Sequence, residues 1–308
     1  MIFELSEGFV RGTDACRLAD LVCHIMHGEH YLSISGASES MLLDAIEQNA
    51  GTTDRDLFDL YISWGMSPTV ELRTYLTTVS DARFTYEKLD AIATNPSILL
   101  MENLREWSFY QNLMASYLSD SRFKNIFVLL AAASRNPKRL KPDQAGGFGD
   151  MEHMLKMYQQ LGYAGISEQK IMVVMDRDTD SASIYPTDRP ELLKLLSGKR
   201  PESLSSEDIY RLKQGKYCWH MWYRRAIENY IPDEAFTALG KKRKVLEKFS
   251  DHPYDKPEKY YSYKKNQLET LSGVMTRELF EKGLIVFKED GVEMNEMQLF
   301  LLKIAKIV

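Results

Sequence analysis

Carboxylates stand directly after two short apolar segments of the chain. Glu102 follows residues 97–101, and Asp176, Asp178 and Asp180 follow residues 171–175. In a parallel α/β sheet, ligands bind beyond the carboxyl ends of the strands, so we expect these acids to meet at one edge. Clustered carboxylates repel one another unless cations fill the site, and hard divalent ions prefer such oxygen ligands. The pattern predicts a site for a divalent metal ion, although a single strand-end acid more often caps the next helix.

The elements that must position these acids alternate between strands and helices. The candidate strands are short and apolar, at 97–101, 125–131, 171–175 and 217–222. Helical patterns occur between them at 107–117 and 151–161, and after the last strand at 225–230. Short, fully apolar strands that alternate with helices are typical of a parallel sheet covered on both faces. The sequence therefore predicts an α/β domain at 96–235.

The two flanks of this domain have different characters. Residues 1–95 show helical patterns with one strand-like piece at 31–35, and predict a helical interaction or oligomerisation module. Residues 236–308 predict a helical, partly basic extension whose last helix, from 294, is amphipathic. Its basic residues are candidates for nucleic-acid binding: Lys241, Lys242, Arg243, Lys244, Lys264 and Lys265. Tyr260, Tyr261 and Tyr263 stand among lysines and would suit base stacking, with a structural role as the alternative.

Composition limits the classes of protein that fit. The chain has 308 residues, 44% hydrophobic and 27% charged, which is typical of a globular protein with a sizeable core. Its apolar runs are shorter than the ~20 residues that span a bilayer, so no membrane segment is expected. Three cysteines form neither a disulfide framework nor a zinc module and favour the cytoplasm. With a net charge of -5, any polyanion would be held by local patches or metal.

The acidic motifs resemble the Toprim fold of topoisomerases, bacterial primases and nucleases of the overcoming-lysogenization-defect group. That family's first motif is an apolar strand that ends in Glu-Gly, with another acid four residues after the Glu. Here Glu102 and Glu106 match the two acids, and Asn103 replaces the glycine. Asparagine tolerates the left-handed backbone of a tight turn better than most residues.

Three further segments extend the resemblance over about 135 residues. Residues 146–150, Gly-Gly-Phe-Gly-Asp, match the glycine element, and 176–178, Asp-Arg-Asp, match the third motif. Residues 224–230 are similar to a stretch common after the last strand in the nuclease branch, including compact phage-defence members. The resemblance implies a Toprim-like parallel sheet flanked by helices. It does not extend to the helical extensions at both ends, which are predicted from their own sequence patterns.

The resemblance also implies roles for individual residues in phosphodiester cleavage. Bound metal would activate water and stabilise the leaving oxygen. Glu102 would ligate metal or accept the proton of the attacking water, and Asp176 and Asp178 would ligate metal. Glu106 and Glu228 are further candidate ligands. The alternative for Glu106 is a solvated surface acid, and the alternative for Glu228 is a structural ion pair with Arg225. The residues expected to contact a substrate phosphate are Gly146, Gly147, Gly149 and Arg225.

Among Toprim activities, the sequence favours a nuclease. A primase would usually carry a cysteine-rich zinc module, and a topoisomerase needs a large domain with a nucleophilic tyrosine. We expect a Mg²⁺- or Mn²⁺-dependent endonuclease acting on DNA or RNA in phage defence. A partner ATPase is expected because the chain has no phosphate-binding Walker loop. The alternatives are a non-catalytic nucleic-acid-binding or regulatory subunit on the same scaffold, and an unrelated α/β phosphotransfer or phosphatase domain.

Overall fold

The computed structural model describes residues 1–34, 36–63, 68–146, 148–187, 189–212 and 214–308, with 60–63, 148 and 265 described by their backbone alone. The strands are β1 (Ile2–Leu5), β2 (Tyr31–Ile34), β3 (Thr78–Ser80), β4 (Ser97–Met101), β5 (Leu140–Gln144), β6 (Ile171–Met175), β7 (Cys218–Met221), β8 (Val286–Glu289) and β9 (Val292–Asn295).

The helices vary widely in length. They are α1 (Glu7–Gly12), α2 (Ala15–His27), α3 (Gly36–Asn49), α4 (Thr52–Ser63), α5 (Val70–Tyr75), α6 (Tyr86–Thr94), α7 (Trp107–Ser116), α8 (Lys124–Ser134), α9 (Met151–Gln160), α10 (Ser167–Lys170), α11 (Pro190–Ser197), α12 (Ser206–Ile209), α13 (Asp233–Ala238), α14 (Leu268–Gly273), α15 (Arg277–Phe280) and α16 (Glu296–Ile307). Within the described ranges, no helix combines the length and apolarity needed to cross a membrane.

The central sheet brings the acidic motifs to one edge. Its strands lie in the order β5-β4-β6-β7 and all pair in parallel. Every residue of β4 and β6 is buried, as expected for strands covered on both faces. Leu100 pairs with Val173, so β4 and β6 end side by side and the residues after them emerge together. The predicted α/β fold with a parallel sheet is confirmed, as are its strands at β4, β6 and β7.

Some elements of this region differ from the prediction. Residues 125–131, predicted as a strand, lie in α8, where Ala131, Ala132 and Ala133 favour a helix. The remaining strand is β5, whose Pro142 is tolerated because one side of an edge strand makes no ladder hydrogen bonds. The helix predicted at 225–230 is shorter, a 3-10 helix over Ile227–Tyr230.

The N-terminal part is mostly helical, as the sequence predicts, but it also contains a three-stranded parallel sheet. β1 pairs in parallel with both β2 and β3, in the order β2-β1-β3, and α2 packs against α3 and α6 beside this sheet. The strand-like piece at 31–35 is confirmed as β2 up to Ile34, and residue 35 lies outside the described residues. β1 and β3 were missed because three or four residues are too few to show strand periodicity. The role of this part in interaction stays a prediction.

The C-terminal part likewise contains strands, because β8 and β9 form an antiparallel hairpin before α16. Asn295 caps the first turn of α16. The helix is buried on nearly all sides, against β7 and α8, where one exposed face had been predicted. Lys303 lies inside because its ammonium group donates to the carbonyls of Ile209 and Trp219. The division of the chain into three domains at 95 and 235 stays a prediction.

Candidate active site

Glu102 and Asp176 meet where β4 and β6 end. The backbone N–H of Asp176 donates to Glu102 Oε1 at 3.2 Å. The backbone N–H of Ile227 donates to Asp176 Oδ1 at 3.0 Å, which attaches the 3-10 helix Ile227–Tyr230 to the same point. Three segments that are distant in the sequence are thereby joined around two carboxylates.

Four carboxylates surround one cavity of about 180 Å³, which we call the acidic cavity. Its lining residues come from the segments after β4 and β6, the glycine element, the 3-10 helix Ile227–Tyr230 and α14: Glu102, Asn103, Arg105, Glu106, Gly146, Asp176, Glu228 and Leu268. Glu106 and Glu228 are both 8% exposed, so the acids are held inside the protein rather than solvated. The structure thus brings together Glu102, Glu106, Asp176 and Glu228 as the sequence predicts.

Crowding changes the proton affinity of these acids. Burial raises the pKa of the Glu106 carboxyl to about 8, although the hydrogen bond from Tyr110 Oη at 2.9 Å lowers it. Burial also raises the pKa of Asp176 well above its ordinary value, and the negative charges of Glu106 and Glu228 raise it further. Carboxylates in such a setting gain stability from a proton or from a bound cation.

Arg177 explains why the Asp-Arg-Asp motif presents both of its acids. Its side chain is fully buried and donates to the carbonyls of Ala182 at 2.9 Å and Ile184 at 3.1 Å. It also donates to the carbonyl of Trp222 at 3.2 Å and to Tyr210 Oη at 2.6 Å. The inward arginine fixes the loop after β6.

Asp178 directly follows Arg177 in the sequence. Its backbone has a φ of 52°, in the left-handed region that Asp tolerates better than most residues, and its N–H donates to the carbonyl of Arg225 at 2.8 Å. Asp178 and Arg225 line a second cavity of about 140 Å³, the mixed-charge cavity, together with Asp176, Ala226, Glu228, Asn229, Lys256, Pro257 and Glu258. Asp176 and Glu228 therefore belong to both cavities.

Arg225 pairs with Asp180 and not with Glu228, the partner that the sequence offered as a structural alternative. Its Nη1 lies 2.6 Å from Asp180 Oδ1, and Asp180 is largely exposed. Glu228 instead accepts from Tyr263 Oη at 3.5 Å. Arg225 thus lies beside the acids, paired with a surface carboxylate, and its role in phosphate binding stays a prediction.

The predicted phosphate-binding glycines are only partly placed. Gly146 lines the acidic cavity and has a φ of +78°, which a side chain would strain. Gly147 lies outside the described residues. Gly149 is exposed in a 3-10 helix over Phe148–Asp150. Phosphate binding by these glycines stays a prediction.

The C-terminal basic residues do not form one free patch. Arg243 pairs with Asp233 at 3.4 Å, and Lys244 Nζ donates to the carbonyl of Glu258 at 2.9 Å, on the rim of the mixed-charge cavity. Lys242 and Lys264 are exposed and Lys241 is partly exposed. The side chain of Lys265 lies outside the described part of the chain.

The tyrosines of this region serve the structure. Tyr260, Tyr261 and Tyr263 are all buried, and their hydroxyl groups donate to Asp255, Asp233 and Glu228 respectively. Because these rings are buried, they are not accessible for stacking on nucleic-acid bases. The alternative prediction, a structural role for the three tyrosines, agrees with their burial.

Two site residues were missed by sequence reasoning. Arg189 lies between the motifs, with Nη1 3.8 Å from Glu102 Oε1 and Nη2 3.8 Å from Asp178 Oδ2. A lone arginine before a proline carries no periodic or spacing signal. Lys256 lines the mixed-charge cavity, and its place in the lysine- and tyrosine-rich segment 254–265 was a signal that could have identified it.

The donor chemistry fits Mg²⁺ or Mn²⁺, because the acidic cavity offers four carboxylates and burial raises the pKa of two of them, Glu106 and Asp176. In the part of the chain that the structure describes, no three Asp, Glu, His or Cys side chains are arranged to hold an ion as they stand. The carboxylates must therefore turn toward one another to bind metal.

No family model, curated protein or solved structure matches this chain. Its function is therefore inferred from the residues and geometry of the site.

Proposed function

We propose that this chain is a metal-dependent endonuclease with a Toprim-like site, acting in phage defence together with a partner ATPase. The observation that carries the proposal is the gathering of four carboxylates, Glu102, Glu106, Asp176 and Glu228, around one cavity at the carboxyl edge of a parallel sheet. Acids at the ends of two neighbouring strands are what the resemblance to Toprim nucleases implies.

Bound Mg²⁺ or Mn²⁺ would supply an activated water and charge stabilisation for the leaving oxygen. Asp176 and Glu228, which line both cavities, would hold the ion, with Glu106 as a ligand from the acidic cavity and Asp178 as one from the mixed-charge cavity. Glu102 would ligate as well or accept the proton of the attacking water, since its Oε1 already accepts a hydrogen bond at this point.

Positive charge for the substrate lies in the mixed-charge cavity. Arg225 and Lys256 line this cavity, and Lys244 is bonded at its rim through the carbonyl of Glu258. A phosphate there would adjoin Asp176 and Glu228, which belong to both cavities. This arrangement supports a phosphodiester substrate, because a net charge of -5 gives no general attraction to a polyanion.

The decisive experiment is cleavage of single- and double-stranded DNA and RNA by purified protein in Mg²⁺, Mn²⁺ or EDTA. Wild type should cut at least one substrate with metal and none in EDTA. Glu102→Gln and Asp176→Asn should abolish cutting, whereas Glu207→Gln, at an exposed acid of α12, should leave it unchanged. Cleavage that survives both site substitutions would show that the activity arises elsewhere.

A second candidate function is a non-catalytic nucleic-acid-binding or regulatory subunit. The contact of Arg189 with Glu102 and Asp178 favours it, because two of the acids are already balanced by a protein cation. Binding of the same substrates without metal-dependent cleavage, by folded wild type, would support this alternative. The partner ATPase is tested by co-purification with ATPases encoded near this chain, and N-terminal oligomerisation by the mass of the protein in solution.

A further inference from the structure

Arg189 connects the two acidic motifs. Its guanidinium lies 3.8 Å from a carboxylate oxygen of Glu102, after β4, and 3.8 Å from one of Asp178, after β6. The side chain is 11% exposed, while that of Asp178 is 47% exposed. The arginine thus approaches the acids from within the protein, and Asp178 faces solvent.

The contacts of Arg189 with Glu102 and Asp178 differ from the hydrogen bonds that Arg177 makes in the same loop. Arg177 donates hydrogen bonds of 2.6 to 3.2 Å to fixed acceptors. The contacts of Arg189 with the two carboxylates are longer than hydrogen bonds, so they are chiefly electrostatic. Since arginine keeps its charge at all ordinary pH values, it lowers the mutual repulsion of the acids whatever their surroundings.

We propose that Arg189 is a built-in counter-cation that competes with divalent metal for Glu102 and Asp178, and so limits metal binding at this site. The inference rests on the proposed function insofar as these carboxylates are metal ligands. Metal and guanidinium are attracted by the same oxygens, so each must weaken the binding of the other. Arg189 is therefore a regulatory and positioning residue of the carboxylate site.

The first test is a Mn²⁺ titration of the full chain, with free Mn²⁺ followed by electron paramagnetic resonance and no nucleic acid present. Arg189→Gln should bind Mn²⁺ more tightly than wild type, by roughly tenfold, a typical coupling between two sites. Arg200→Gln is the matched control, because Arg200 is exposed and is not among the residues that line either cavity. It should change the affinity less than twofold.

The affinity comparison is interpreted as follows. Adding Glu102→Gln to Arg189→Gln should remove most of the gain, because one of the contested ligands is lost. Equal or weaker Mn²⁺ binding by folded Arg189→Gln would overturn the competition. If neither wild type nor Arg189→Gln bound Mn²⁺, both the competition and the proposed nuclease would fail. Tighter Mn²⁺ binding by Arg189→Gln than by wild type, with no cleavage by wild type, would retain the competition and reject only the nuclease.

A second measurement uses wild type and does not depend on the folding of a variant. Phenylglyoxal labels accessible arginines, and mass spectrometry of the peptide that contains Arg189 reports its extent. Saturating Mn²⁺ should increase labelling of Arg189 severalfold, because the metal displaces the guanidinium from its shielded position, and should leave labelling of Arg11, an exposed arginine of α1, unchanged. Labelling of Arg189 that does not rise as Mn²⁺ binds would overturn the proposal.

Discussion

Replacing Arg177 by Met should destabilise the protein and disable the site at the same time. Methionine replaces the unbranched aliphatic stem of the arginine but has no donors for the carbonyls of Ala182, Ile184 and Trp222 or for Tyr210 Oη. Four hydrogen bonds at about 1 kcal/mol each come to about 4 kcal/mol. With about 2.1 cal/mol/K of unfolding entropy per residue over the chain, Tm should fall by about 6 °C.

The site should respond because the loop that Arg177 fixes carries both Asp176 and Asp178. Without the anchor, the two acids lose their fixed separation, so cleavage per folded molecule should fall by at least tenfold, as expected when a positioned group is released. Mn²⁺ affinity should fall in the same variant. Tm would be measured by scanning calorimetry and cleavage on a substrate that wild type cuts.

The matched control is Arg200→Met, a change of the same kind at an exposed arginine. It should leave both Tm and cleavage close to wild type. A Tm loss below 2 °C for Arg177→Met, with cleavage retained, would refute the view that this buried arginine organises the acidic motifs.

Three further predictions follow from the charges of the site and the core. Glu106→Gln should raise Tm at pH 9 but not at pH 4. The pKa of Glu106 rises from 4.5 to about 8 on folding, so wild type loses folding stability as the pH rises between these two values, and the variant does not. Lys303→Met should flatten the rise of stability between pH 7 and 10, since the folded pKa of about 7 lies below the ordinary 10.5; unchanged slopes would contradict this. Arg225→Gln should reduce cleavage severalfold with Mn²⁺ affinity nearly unchanged, whereas Lys138→Gln, at an exposed lysine before β5, should alter neither; equal loss in both would remove the phosphate role.

The sequence was sufficient to predict the middle of the sheet because β4 and β6 are buried on both faces and are apolar throughout. The same reasoning failed at α8, since a short apolar run does not distinguish a buried helix from a strand. β5 is a strand whose sequence does not resemble one. Lys141, Pro142 and Asp143 are acceptable only in an edge strand, and the position at the edge is set by the sheet and not by the segment itself.

The acids of the site were predictable for a related reason. Glu102 and Asp176 directly follow core strands, and their positions are fixed as soon as those strands pair in parallel. Arg189 has no such marker, because its contact with Glu102 depends on the path of the loop after β6, which Arg177 sets through carbonyl groups. Side chains placed by loop geometry carry no periodic signal.

The charges of the site bear on how this acidic protein would bind the proposed phosphodiester substrate. Asp176 and Glu228 line both the acidic cavity, where metal would bind, and the mixed-charge cavity, which Arg225 and Lys256 also line. Their negative charge therefore acts in both cavities. A substrate phosphate in the mixed-charge cavity would be repelled by the two acids until a cation balances them. Because the contacts of Arg189 with Glu102 and Asp178 are 3.8 Å long and carry a single positive charge, a divalent ion should provide the stronger balance. Metal should therefore increase nucleic-acid affinity in wild type and increase it less in Asp176→Asn, which fluorescence anisotropy in Ca²⁺ would measure without cleavage.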